Sequence, residues 1–316
     1  MEDPVVVFIG GAGRSGSTLL GQVLGQLTGF VAVGEMVSRF WAKNLDLHIC
    51  GCGEPIEECA FWSAVAERTE GGWHSPEFAR TRELQATIGG SSLVPLLLLL
   101  PWQPRSVRRK ADEMSEHILR LYRSVADVAG ANVIVDGSKD PAYAVLLHRV
   151  LGTRLRLVHL VRHSGGVAFS WTKIVSRPLV GRPEAEMTRY RPGRTALRWL
   201  RRNLILDLLR KRSRAILLRY EDLARDPGAE LLRVCDLAGS GKDDVMALLG
   251  GDMKEISTLH TCGGNPMRFQ SGALSIRLDE AWRHKLSFRQ RALVTTVSSP
   301  LLLRYGYLGP LARPSN

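Results

Sequence analysis

Residues 10–20 read GGAGRSGSTLL and follow the apolar run Val5–Ile9. Gly11, four residues, Gly16 and Thr18 have the spacing of a phosphate-binding loop, with Ser17 where a triphosphate loop carries lysine. Successive N–H groups in such a turn wrap an anion, and the N-terminus of the following helix adds partial positive charge. Ser17 is too short to reach a triphosphate tail and has no charge. Arg14 offers a cation at a different place, so the loop suits a shorter, less charged group. A second cluster, LVHLVRHSGGVAFSW (Leu157–Trp171), reads as a strand running into a helix. Arg162 and Ser170 have seven residues between them, in the pattern R-x7-S, and can converge on one phosphate. Arginine suits that task because its planar fork pairs bidentately with phosphate oxygens.

On these residues the chain resembles the PAPS-dependent sulfotransferases, where PAPS is 3′-phosphoadenosine 5′-phosphosulfate. It is most similar to bacterial members and to the related protein-tyrosine sulfotransferase branch. The resemblance implies a P-loop NTPase-like fold. It also implies a 5′-phosphosulfate held by Arg14, Ser15, Gly16, Ser17 and Thr18, and a 3′-phosphate held by Arg162 and Ser170. The donor has no γ-phosphate, which explains the absent lysine, and no metal is expected. After the arginine the family commonly has an acidic and then a basic residue; this chain has His163, Ser164 and Gly165. Three further segments extend the likeness. RYEDLARDP (Arg219–Pro227) resembles the segment after the fifth strand, which implies Tyr220 near the nucleotide. VDGSKDP (Val135–Pro141) resembles the KDP turn of the tyrosine branch. LHTCGGNPMRF (Leu259–Phe269) is similar to a late loop closing over the cofactor, which implies Gly264, Asn265 and Arg268 at the site.

Sulfuryl transfer to a hydroxyl needs a base for the acceptor proton and positive charge beside the leaving phosphate. Glu35, in VAVGEMVSRF, has the Gly-Glu context of the family's base. A phenol's pKa is about 10, so a carboxylate of raised pKa would help. Lys139 is the candidate cation at the bridging oxygen. On the residues alone, Glu35 equally reads as a helix cap or an arginine's partner, and Lys139 as an exposed turn lysine. Other readings also stay open: a P-loop kinase with a degenerate loop, for which Val133–Asp136 is a passable Walker B strand, or a nucleotide- or polyanion-binding protein without catalysis.

HICGCGEPIEECAFW (His48–Trp62) places Cys50, Cys52 and Cys59 near His48. These could ligate zinc, but the C-x-C-x6-C spacing departs from the common C-x2-C pairs. The segment resembles one frequent in bacterial sulfotransferases, where it reads as structural, and a disulfide is disfavoured in a reducing compartment. An odd cysteine count, five, and an opening without a signal-peptide pattern suggest free thiols in the cytoplasm. The formal net charge is +12, which favours anionic partners. The basic runs Arg105–Lys110 and Leu209–Arg214 have no nucleic-acid-binding motif beside them, so no nucleic-acid partner is expected. The apolar run Leu93–Trp102 is too short for a membrane span.

The elements that must position these residues alternate. Strands are expected at Val5–Ile9, Phe30–Val33, Asn132–Val135, Leu155–Val161 and Ala215–Arg219. Helices are expected at Ser17–Leu27, Ala111–Val128, Ala142–Val150, Gly166–Val175 and Arg194–Lys211. This alternation predicts an α/β fold: a three-layer α/β/α arrangement with a central, mostly parallel sheet. Residues 1–316 are read as one domain, with a mainly helical insertion at 36–130 shaping the acceptor site. The acceptor is expected to be a hydroxyl on a small molecule, glycan or lipid.

Overall fold

Val6 and Phe8 face one side of the first strand and Val7 and Ile9 the other, and all four are fully buried. A strand covered on both faces belongs in the middle of a parallel sheet. The computed structural model describes residues 3–89, 97, 102–250, 256–272 and 276–308. Five strands form one sheet in the order β2-β3-β1-β4-β5. They are β1 (Val5–Gly11), β2 (Phe30–Gly34), β3 (Val133–Lys139), β4 (Leu155–Val161) and β5 (Arg214–Arg219), and every pairing is parallel. The strands match the expected ones to within a few residues at each end. β1 lies between β3 and β4, where strand order reverses, so the glycine loop after β1 opens at the switch point where such sheets bind ligands.

After β1 comes α1 (Ser17–Leu24). Between β2 and β3 lie α2 (Met36–Arg39), α3 (Ala60–Glu70), α4 (Pro76–Gly89) and α5 (Arg105–Ala129). α5 buries Met114, Ile118, Leu121, Tyr122 and Val125 at helical spacing, against the face that Val6 and Phe8 present. The chain continues through α6 (Pro141–Leu151), α7 (Ser164–Ser170), α8 (Pro192–Arg210), α9 (Tyr220–Arg225), α10 (Pro227–Ala238), α11 (Lys242–Gly250), α12 (Trp282–Lys285) and α13 (Phe288–Arg304). α1 and α10 cover the opposite face, on Val7 and Ile9. The result is the expected three-layer α/β/α arrangement.

The helix expected at Gly166–Val175 stops at Ser170. The Trp171 carbonyl, which a longer helix would use internally, accepts instead from the Tyr190 N–H at 3.1 Å. The chain then runs out into a loop that returns along Ser176↔Glu186. Apart from Leu97 and Trp102, the apolar run Leu93–Trp102 lies outside the described residues. No described helix is long and apolar enough to cross a membrane.

Candidate functional site

A cleft of about 540 Å³ opens at the carboxyl edge of the sheet. The glycine loop, the ends of β2 and β3, α7, α8, the start of α9 and the late loop all contribute to its wall. Arg14, Arg39, Lys139, Arg162, Arg177, Arg198, Arg202 and Arg277 line it against Glu35 and Asp140, so the described wall is strongly cationic.

Gly16 caps α1 in the left-handed region at φ 97°, and a Cβ there would meet the Tyr220 ring at 2.8 Å. Glycine is needed on both counts. Arg14 (φ 74°) and Lys139 (φ 62°) are the non-glycine residues with positive φ among those described. Both are cations and both line the cleft. Strain of this kind persists where the surrounding structure holds a side chain in place, and it clusters at functional sites. The Arg14 guanidinium lies over Trp171 at 5.1 Å. Its Nε has no hydrogen-bond partner among the described residues, nor has the fully buried Ser15 Oγ. Donors left over beside a glycine loop fit an anionic ligand. Ser17 and Thr18 line the cleft. Thr18 Oγ1 accepts the Asn265 N–H at 3.2 Å, which docks the late loop onto the first turn of α1.

The KDP turn divides its work. Lys139 carries the strained backbone and points its ammonium at Glu35. Asp140 is the N-cap of α6, accepting the Ala142 N–H at 2.8 Å, and Pro141 occupies the first helical position. Lys139 Nζ donates to Glu35 Oε1 at 2.5 Å, and Arg39 Nε to Glu35 Oε2 at 3.4 Å. Glu35 stands at the N-cap of α2 yet makes no side-chain cap bond, so it is an ion-pair partner rather than a cap. Burial by itself would push its pKa up; Lys139, Arg39 and Arg177 outweigh that and hold it at about 2. The raised pKa expected of the base is therefore absent in this arrangement, because three cations surround the carboxylate.

Asp136, the Walker B candidate, is fully buried and does not line the cleft. It accepts from the Tyr122 hydroxyl at 2.6 Å and the Ser138 N–H at 2.7 Å. Burial lifts its pKa to about 6. It shapes the end of β3 and is not presented to a ligand.

Arg162 is nearly buried, with its guanidinium over the Tyr220 ring at 4.4 Å. Its Nη1 donates to the Arg14 carbonyl at 3.3 Å. Its Nη2 donates to the Asp279 carbonyl at 3.0 Å and lies 3.2 Å from the Asp279 carboxylate. Arg162, Ser170 and Tyr220 all line the cleft, and Ser170 is the last residue of α7. His163 stands where the family commonly has an acid. It caps α7 by accepting the Gly165 N–H at 3.0 Å and stacks on Trp282.

Gly264 and Asn265 line the cleft, and Arg268 lines a smaller adjoining pocket with Ser17, Thr18, Glu35, Lys139 and Gly264. Arg268 is buried behind the late loop, donating to the carbonyls of Gly264 and Ile49 at 3.1 and 2.9 Å. It braces that loop. Arg177, Met187, Tyr190, Arg198, Arg202, Arg277 and Asp279 are site residues that the sequence reading did not single out. The basic residues among them carry no motif; proximity in the fold alone brings them in.

A model of the family described as the sulfotransferase family matches residues 4–244. Among curated proteins, none matches the chain. Similar solved structures include the sulfotransferase domain of the Synechococcus PCC 7002 olefin synthase, 20% identical, covering 95% of this chain and 96% of that one, with a TM-score of 0.47. A sulfotransferase domain from the curacin biosynthetic pathway is 17% identical over 94% and 97%, with a TM-score of 0.45. Sulfotransferase STF9 from Mycobacterium avium is 13% identical over 96% and 77%, with a TM-score of 0.49.

Proposed function

This chain belongs to the sulfotransferase family, so its chemistry is sulfuryl transfer, and we propose that it moves the sulfuryl group from PAPS to a hydroxyl. The observation that carries this reading is the meeting of Glu35, just after β2, and Lys139, at the end of β3, at the mouth of a glycine loop lacking the triphosphate lysine. The loop from Arg14 to Thr18 holds the 5′-phosphosulfate, and Arg162 with Ser170 holds the 3′-phosphate. Tyr220, Gly264 and Asn265 close the nucleotide side, with Arg268 bracing Gly264 from behind.

The acceptor oxygen forms a bond to sulfur as the bond from sulfur to the 5′-phosphate oxygen breaks. The electron pair leaves on that phosphate oxygen, where Lys139 stabilises it. The hydroxyl proton passes to Glu35. A carboxylate with a pKa of about 2 is a weak base. When Lys139 turns from Glu35 to the bridging oxygen, Glu35 loses its nearest counter-charge and becomes more basic. The acceptor enters along Trp171, Met187, Tyr190 and Arg198; of the segment 36–130, Arg39 is the described residue that reaches the cleft.

Thermal shifts and a transfer assay without added divalent cations test the reading. 3′,5′-Bisphosphoadenosine should raise the melting temperature more than ATP with magnesium. Glu35→Gln should lower turnover by about 10²–10⁴-fold, the usual worth of a general base, with bisphosphoadenosine affinity nearly unchanged. Stabilisation by ATP alone, or full turnover in Glu35→Gln, would count against the assignment.

A further inference from the structure

We infer that Cys50, Cys52, Cys59 and His260 form a zinc site that fastens the late loop to the segment before α3. Their ligand atoms all lie within 4.8 Å of one another. Cys52 and Cys59 sulfurs are 3.8 Å apart, and His260 Nδ1 lies 3.3 Å from Cys59 Sγ and 3.9 Å from Cys50 Sγ. A tetrahedral zinc with Zn–S of about 2.3 Å and Zn–N of about 2.0–2.1 Å has S···S edges of about 3.8 Å and S···N edges of about 3.6 Å. The observed separations bracket those edges.

Local structure positions the three sulfurs. Cys50 and Cys52 share a tight turn in which Cys50 N–H donates to the Glu54 carbonyl at 2.7 Å and Gly53 N–H to the Cys50 carbonyl at 3.0 Å. The Cys52 N–H is directed at the Cys50 sulfur. Cys59 is the N-cap of α3, and the Trp62 N–H is directed at its sulfur. His260 stacks on Phe61 at 5.1 Å, which fixes its ring. Three thiolates and one imidazole fill a tetrahedron and leave no open position, which marks a structural rather than a catalytic zinc.

The spacing C-x-C-x6-C is incomplete by itself, and His48, the histidine nearby in sequence, is not the fourth member. His48 contacts Arg177 instead. The fourth ligand comes 201 residues after Cys59. Its place gives the metal a mechanical role. Gly51 N–H donates to the Thr261 carbonyl at 3.1 Å, and Glu35 N–H to the Cys262 carbonyl at 2.7 Å. The metal therefore ties down the strip that leads to Gly264 and abuts Glu35.

The test uses the full chain with any affinity tag removed. After incubation with zinc and gel filtration, elemental analysis should find about one zinc per chain. Cobalt in its place should give the thiolate charge-transfer and tetrahedral d–d bands of a sulfur-rich site. Stripping with a strong chelator should lower the melting temperature, and zinc, not magnesium, should restore it. His260→Ala should lose the metal on dialysis. Zinc absent after gel filtration, zinc undiminished when all three cysteines are serine, or a Cys52–Cys59 disulfide in freshly alkylated protein would each overturn the inference.

Discussion

Asp279→Asn isolates the cost of uncovering Arg162. The Asp279 carboxylate lies 3.2 Å from Arg162 Nη2, where a phosphate oxygen on that arginine would sit. A bound 3′-phosphate has to displace it or lie beside it against like charge. Asparagine keeps the length and the Oδ1 that accepts the Ala281 N–H at 3.2 Å, so the turn into α12 survives while the charge is lost. A hydrogen bond to a charged group is worth about 1.5–3 kcal/mol. The Asp279 side chain is 33% exposed and is shared with Lys173 at 3.2 Å, so the lower end applies. About 1.5 kcal/mol corresponds to about tenfold in Kd. Calorimetry should show 3′,5′-bisphosphoadenosine binding about tenfold tighter to Asp279→Asn, with adenosine 5′-phosphate nearly unchanged. Equal tightening for both ligands would mean a general charge effect. Weaker binding of the bisphosphate would refute the reasoning, because Asp279 would then be helping to hold the nucleotide.

Arg162→Ala should weaken bisphosphoadenosine binding by about ten- to hundredfold and adenosine 5′-phosphate far less; equal losses in calorimetry would remove the 3′-phosphate from Arg162. Glu35, held at about 2 against an ordinary 4.5, contributes stability above pH 4.5 that is lost as pH falls toward 2. The acid fall in melting temperature across that window should therefore be shallower in Glu35→Gln, and an unaltered slope would deny the pairing any net worth. Arg14→Gly accepts φ 74° freely where Arg14→Ala cannot. The glycine variant should unfold at higher urea, by about 1 kcal/mol, while both lose nucleotide affinity alike; a more stable alanine variant would show that the backbone there is not strained.

The parts of the site legible in the sequence were those whose chemistry is local. The glycine loop, the KDP turn and the Arg162 strand end each put backbone geometry and side-chain role within a few residues. Five strands were legible because β-branched runs between turn residues admit few other structures. What escaped was whatever depends on distant chain. His260 reaches Cys59 across 201 residues, and Asp279 reaches Arg162 across 117. Arg268, which residue type suggested as a phosphate ligand, shows what only the fold adds: its guanidinium donates to the Gly264 and Ile49 carbonyls while lining a small pocket beside Ser17, Thr18 and Lys139. The end of α7 was missed for a similar reason, since the Tyr190 N–H that takes the Trp171 carbonyl lies beyond any local window.

Charge explains why strain is tolerated at Arg14 and Lys139. A cationic wall in a partly buried cleft is self-repelling, and burial already pulls the Arg14, Arg177 and Arg202 pKa values down. Glu35 is one of only two acids on the described wall, and Lys139 and Arg39 both close on it. One carboxylate therefore steadies the ends of β2 and β3. On the proposed function, the phosphosulfate and 3′-phosphate of PAPS would supply that compensation instead. On that assignment the donor would release Lys139 from Glu35 as a cation is wanted on the leaving oxygen and a freer carboxylate for the acceptor proton. On the proposed assignment, the same ion pair is internal counter-charge in this arrangement and would separate into two catalytic groups when the donor binds, so the low pKa of Glu35 within the pair is compatible with work as a base.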